Sequence, residues 1–326
     1  MPTILVAGTQ NQPFGSFSQT SQSQDGVNWT TASSPFPYPD SCTGIASNGS
    51  LNLISNQRGL ISATTDFVNF NTVNVNQGFG STCFGQHNST WLIAGVQNYI
   101  NGYGPYPPYT EVAQIFYSTY GSTGWRMIWT HPNNSSYFYS IQFFPNAPIT
   151  SSINADVWVA VGNSGYNSGD IWYSVDNGIS WAQADIPVGV GVIFSVMLYN
   201  LGGTPTWYWG CRGKIYLSNN LHNVAWNELG LTSNDTAVGF VQDGSGALLV
   251  NGINTLYTSL DGLFFNTFQY PGYVWATINV LPLATGSRWL AFARSNLIQY
   301  TYWYSDNFST WTPLSNGITV QASTVF

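Results

Sequence analysis

The chain has 326 residues, of which 6% are charged, 16% are aromatic and 44% are hydrophobic, and its formal net charge is −7. Six basic residues against thirteen acidic ones leave no electrostatic footprint for nucleic acid, and no apolar run approaches the roughly 18 residues of a membrane-spanning helix. The three cysteines Cys42, Cys83 and Cys211 are odd in number and too few for a disulfide framework, and the isolated His87, His131 and His222 form no zinc-ligand pattern.

Soluble domains usually carry about 25% charged residues. The solvated surface here must therefore be built from Ser, Thr, Asn, Gln, Gly and Tyr. Such a surface suits contact with sugars or packing against other proteins. Lone histidines in this setting are expected in loops or at the surface, and no cofactor or metal is expected.

The chain opens with Met1-Pro-Thr-Ile and lacks the charged start and long apolar run of a signal peptide. That is the pattern expected of a mature chain, or of one that leaves the cell by another route such as virion release. The first predicted strand, ILVAG from Ile4, is the first of seven similar apolar runs. The others are LNLIS (51–55), WLIAG (91–95), VWVAVG (157–162), TWYWG (206–210), LLVNG (248–252) and WLAFA (289–293). Each is followed by a second β-rich run, such as IFYS, IWYS, IYLS and LYTS, and later repeats are preceded by a third, such as GIASNG or FSVMLYN.

Each second run leads into one short motif. Its clearest copy is SVDNGISW, with Ser174, Asp176, Gly178 and Trp181. The Asp side chain accepts backbone N–H bonds within a tight turn, Gly adopts the positive φ that the turn needs, and the aromatic buries its ring against neighbouring strands. SQDGVNW (Ser23, Asp25, Trp29) and SLDGLFF (Ser259, Asp261) are one residue shorter. TTDFVNF replaces Gly by Phe67 beside Asp66, SDNFSTW has Asn307 for Asp, STYGSTGW has Tyr120 there, and SNNLHNVAW is the most degraded. The closing aromatics are Trp29, Phe70, Trp125, Trp181, Trp226, Phe265 and Trp311, a period of about 40–55 residues that marks propeller blades.

The fold expected is therefore all-β: a seven-bladed β-propeller of four-stranded antiparallel blades (strands A to D), forming one domain over residues 1–326. The chain begins on strand B of the first repeat, so the C-terminal segment from Ile318 to Phe326 is expected to supply the missing strand A. That closes the ring and removes a sheet edge.

The repeated turn resembles the Asp-box, or bacterial neuraminidase repeat, over the whole chain. The resemblance implies that Asp25, Asp66, Asp176 and Asp261 are fold residues away from the ligand face. It leaves function open, because the family holds sialidases, other glycoside hydrolases, lectin-like propellers, assembly factors and viral surface proteins. The sialidase Arg-Ile-Pro signature is absent, and such enzymes have six blades. A glycosidase generally needs two carboxyls about 5–10 Å apart. The chain has two glutamates, Glu111 and Glu228, and these with Asp40 are the residues a hydrolase would use.

Strand alternation puts the C–D hairpins on one face and the B–C and D–A connections on the other. Arg58, Arg212, Lys214 and Arg294 fall in or beside B–C connections. The long insert of Gln97 to Val112, with Tyr103, Tyr106 and Tyr109, and the segment holding Tyr273 and Trp275 reach the same face. Tyr and Trp stack on apolar faces of sugars and Arg grips carboxylate or sulfate. These nine residues are the candidate ligand-binding set. The reading is a non-catalytic recognition propeller on an exterior surface, extracellular or on a virion, that binds glycans. The alternatives are a structural or adaptor subunit docking a protein partner through that face, and a glycoside hydrolase of sialidase-like fold.

Overall fold

The computed structural model describes the chain apart from residues 1–3, 13–14, 33–34, 37–41, 57, 77–78, 101–108, 134, 166–167, 232–234, 270–272, 296–299, 315–321 and 326. The described residues form an all-β propeller of four-stranded antiparallel blades. Strands β1 (Ile4–Gln12), β2 (Gly15–Ser23) and β3 (Thr30–Ala32) belong to the first sheet. The second holds β4 (Cys42–Ser47), β5 (Asn52–Asn56), β6 (Leu60–Thr64) and β7 (Asn71–Asn74). The third holds β8 (Phe79–His87), β9 (Thr90–Ile100), β10 (Tyr109–Ser118) and β11 (Arg126–Thr130). The fourth holds β12 (Ser136–Pro148), β13 (Asn154–Ser164), β14 (Ser168–Ser174) and β15 (Ala182–Gln183). The fifth holds β16 (Ile193–Leu201), β17 (Thr204–Cys211), β18 (Lys214–Ser218) and β19 (Asn227–Gly230). The sixth holds β20 (Gly239–Gln242), β21 (Leu248–Asn251), β22 (Thr255–Ser259) and β23 (Asn266–Gln269). The seventh holds β24 (Tyr273–Leu283), β25 (Gly286–Ser295), β26 (Tyr300–Ser305) and β27 (Thr312–Leu314), and β28 (Ala322–Val325) is the last strand.

Strand β28 pairs antiparallel with β1, Ile4 opposite Val325 and Ala7 opposite Ala322, so the first sheet runs β28-β1-β2-β3. The A strands adjoin one another in the cyclic order β28, β4, β8, β12, β16, β20, β24 and back to β28. The seam is also bridged by side chains. Trp29 of the first sheet packs edge-on against Tyr302 and Phe292 of the seventh. The Tyr302 hydroxyl donates to the Val27 carbonyl at 2.9 Å, and Arg288 donates to the Asp25 carbonyl at 2.8 Å.

Burial explains the sequence of each strand. B strands have a partner on each edge and a packed neighbour on each face, so they read as continuous apolar runs. Strands β5 and β21 are buried throughout, and Trp158, Trp207 and Trp209 are fully buried. D strands close the outer edge. They are short and solvent-exposed, as in Asn71–Asn74 and Asn227–Gly230, which limits edge-to-edge pairing.

Five of the seven box hairpins share one hydrogen-bond scheme. Asp66 Oδ1 accepts the N–H groups of Val68 and Asn69 at 2.9 and 2.8 Å, while Thr64 Oγ1 accepts that of Phe67 at 2.8 Å. Asp25, Asp176 and Asp261 repeat this with Ser23, Ser174 and Ser259 as the hydroxyl residues. Asn307 does the same through its amide oxygen, accepting from Ser309 and Thr310 at 3.0 Å. Gly26 has φ 70°, and a Cβ there would meet Leu290 of the seventh sheet at 3.0 Å. Phe67 and Phe308 hold the equivalent position at φ 58° and 62° despite their side chains.

Candidate recognition face

The meander places the B–C turns and D–A connections at one end of the sheets. Arg58 lies in the β5–β6 turn, where the Asn56 side chain accepts the N–H groups of Arg58 and Leu60 at 3.0 and 2.9 Å. Arg212 lies in the β17–β18 turn and is exposed, with its backbone bridged to Thr236. Lys214 opens β18 and points outward. Its ammonium pairs with Glu228 of the outermost strand β19 at 2.7 Å and lies over the Tyr216 ring. The hydrogen bond to Glu228 holds the Lys214 amine above its ordinary range.

Arg58 thus sits in the second sheet, Arg212 and Lys214 in the fifth, and Arg294 in the seventh, near the loop-face end of β25. Tyr109, Tyr273 and Arg294 are placed by backbone register alone, opposite Ile100, Ser295 and Val274. Tyr103, Tyr106 and Asp40 lie outside the described residues. Trp275 departs from expectation. It is 2% exposed and packs against Phe268 and Trp303 in the core beneath the face. The same alternation that gives a strand one residue per side turns it inward.

The face also carries residues that the sequence reading missed. Tyr137 and Tyr139 of β12 stack at 6.4 Å and 21°, and Phe194 of β16 lies 5.0 Å from Tyr139. Both are A strands, near the end where their D–A connections enter, so this aromatic ladder borders the propeller axis. Tyr139 is 40% exposed. Burial of the remainder, and then the nearby Glu111 carboxylate, raise its phenol above the usual range. The signal was present as alternating aromatics in SYFYS, but only the pairing register reveals which of them line the axis.

His131 lies in the loop after β11, as expected of the lone histidines, but it is buried there and bonded to Asp170 of β14 at 2.5 Å. Asp170 also accepts the Trp172 indole N–H at 2.8 Å and the Gln183 amide at 2.9 Å. The other histidines are more exposed: His87 stacks on Phe143, and His222 joins Tyr173 and Asp185. Asp235, likewise buried, accepts the N–H groups of Thr236, Ile253 and Asn254, tying the exit of the fifth sheet to the sixth. Both carboxylates are occupied as acceptors, with His131 tying the third sheet to the fourth through Asp170 and Ile253 tying the exit of the fifth to the sixth through Asp235. Glu111 lies on strand C of the third sheet and Glu228 on the outer edge of the fifth. These two thus belong to different sheets, and among the described residues no cluster of His, Cys, Asp and Glu could hold a metal ion. No helix among them is long and apolar enough to cross a membrane.

No protein-family model and no curated protein matches the sequence. Solved structures do match the fold. The periplasmic gluconolactonase PpgL of Pseudomonas aeruginosa superposes with TM-score 0.60 at 10% identity, over 99% of this chain and 97% of its own. YCF48 bound to D1 peptide gives 0.57 at 11%, over 86% and 83%. Saccharomyces cerevisiae Sqt1 gives 0.56 at 8%, over 97% and 87%. At such identities the likeness establishes the fold alone.

Proposed function

We propose that this chain is a non-catalytic recognition propeller that engages a partner through its B–C/D–A face. We read the seven sheets as seven blades of one closed domain over residues 1–326, of the Asp-box type. The observation that carries the functional reading is the part-exposed Tyr139, stacked on Tyr137 and met by the tilted ring of Phe194 at the axis end of that face. A preformed aromatic platform offers large contact area with hydroxyl tips and little entropy to lose on binding. Arg58 and Arg212, exposed in B–C turns, supply charge-assisted contacts elsewhere on the same face. A polypeptide partner is supported by fold neighbours solved with a peptide or a protein bound.

The second reading, a glycan on an exterior surface, is favoured by the same tyrosine faces and by a chain with 6% charged residues. An adaptor role in a larger assembly follows from the first reading, a virion or extracellular location from the second. Binding of Tyr139→Ala and the parent chain to a glycan array and to a displayed peptide library tests both. The parent chain is expected to give hits in one of them, weakened about tenfold or more in the variant. Hits that survive Tyr139→Ala would remove the platform from the proposal. Turnover of a fluorogenic sialoside, lost on changing Glu111 or Glu228, would replace recognition by catalysis.

A further inference from the structure

The opposite face, formed by the box hairpins, carries exposed large apolar side chains on most of its hairpins. Val68, Tyr120, Ile179 and Val224 project from the hairpins of the second to fifth sheets. In the sixth, Leu260 and Phe264 are 79% and 78% exposed, with Leu263 beside them. Next to them a cleft of about 410 Å³ opens between the sixth and seventh sheets, lined by the apolar Leu260, Phe268, Phe308 and Trp311 and by Ser, Thr and Asn residues of both hairpins. Large side chains left in water in this way mark an interaction surface.

Charge decides what fits it. Every Asp-bearing box contributes a carboxylate to this face, and Arg288 compensates only Asp306 and the Asp25 turn. Among the described residues no basic side chain pairs with Asp66, Asp176 or Asp261. Their backbone hydrogen bonds hold Asp66 and Asp261 ionised. Four of the six basic residues lie at or near the other end of the sheets.

We propose that the box face, centred on the Leu260–Phe264 hairpin and its cleft, docks a protein segment in which apolar side chains alternate with Lys or Arg. An apolar side chain enters the cleft, and the cations lie beside Asp261 and its counterparts. This second interface is independent of the aromatic platform on the loop face.

The test is fluorescence anisotropy with a labelled peptide of alternating Leu and Lys, against one of alternating Leu and Glu, on the full chain. The Lys peptide is expected to bind at least about tenfold more tightly than the Glu peptide, more weakly at high salt, and about tenfold more weakly to the Leu260→Ser/Phe264→Ser variant. Both substitutions fall on exposed side chains, so thermal unfolding of the variant should match the parent chain. Equal binding of the two peptides, no binding, or binding untouched by the variant would overturn the proposal. So would self-association in sedimentation that the same variant abolishes, which would make a second copy the occupant.

Discussion

His131 Nε2 and Asp170 Oδ2 lie 2.5 Å apart, each side chain 1% exposed, and join the exit of the third sheet to strand C of the fourth. Removing one partner leaves a buried polar group of the other without its hydrogen bond, which costs about 1–3 kcal/mol. His131→Ala is therefore expected to lower the urea midpoint strongly with an unchanged slope. The double change with Asp170→Ala should cost less than the sum of the single changes. Additive effects would show that the pair does not act as a unit.

The box aspartates make stability depend on acid. Burial raises the Asp25 carboxyl but backbone bonds from Asn28 and Val27 outweigh it, and Asp66 is lowered chiefly by the backbone bond from Asn69; both come to about 2. An unfolded Asp titrates near about 3.9. The folded values are depressed, so this contribution is complete above about pH 4 and is lost as pH falls towards about 2. Thermal unfolding of the parent chain should weaken across that window. In Asp25→Asn/Asp66→Asn the slope there should be shallower; an unchanged slope would assign acid sensitivity elsewhere.

Phe67 sets strain against packing. A left-handed conformation costs a non-glycine residue about 1–2 kcal/mol, whereas deleting a buried Phe ring costs about 3–5 kcal/mol. Phe67 is buried at φ 58°, so Phe67→Gly should destabilise by about 2 kcal/mol even though it removes the strain. A stabilised variant in chemical denaturation would mean that the strain outweighs the packing.

Deleting residues 321–326 removes β28 and exposes the β1 edge that it covers. The truncated chain is expected to unfold at lower urea, with a broader transition followed by tryptophan fluorescence, and to aggregate through the open edge. An equally stable, compact monomer would show that the ring does not need its last strand.

All three cysteines are buried, and burial pushes the Cys83 and Cys211 thiols up to about 12. Only thiolate reacts readily. Ellman's reagent at pH 8 should label none of the three in the native chain and all three in urea. Fast labelling of the native chain would show that a cysteine reaches solvent.

The strands and box turns were legible because their signals are local. Ser174, Asp176 and Gly178 lie within one turn, where side chain and backbone meet regardless of the rest of the chain. The pairing of the last strand with Ile4 was readable from the missing first strand of the first repeat. The site was less legible. Trp275 looked like a loop aromatic, yet it points into the core, and Tyr139, which borders the axis, drew no notice. Both outcomes depend on strand register, and a shift of one residue exchanges the two sides of a strand.

By itself, then, the sequence determined a periodic all-β chain with hairpins pinned by carboxylates and little charge to spend on its surface. Only the tertiary structure decided which side chains share a neighbourhood. It buried His131 against Asp170 although 39 positions separate them in the chain, scattered the basic residues over separate sheets, and left Leu260 and Phe264 in water. The reason is physical: turn chemistry acts within a few residues, whereas the contacts between sheets join distant segments and form only when the ring closes.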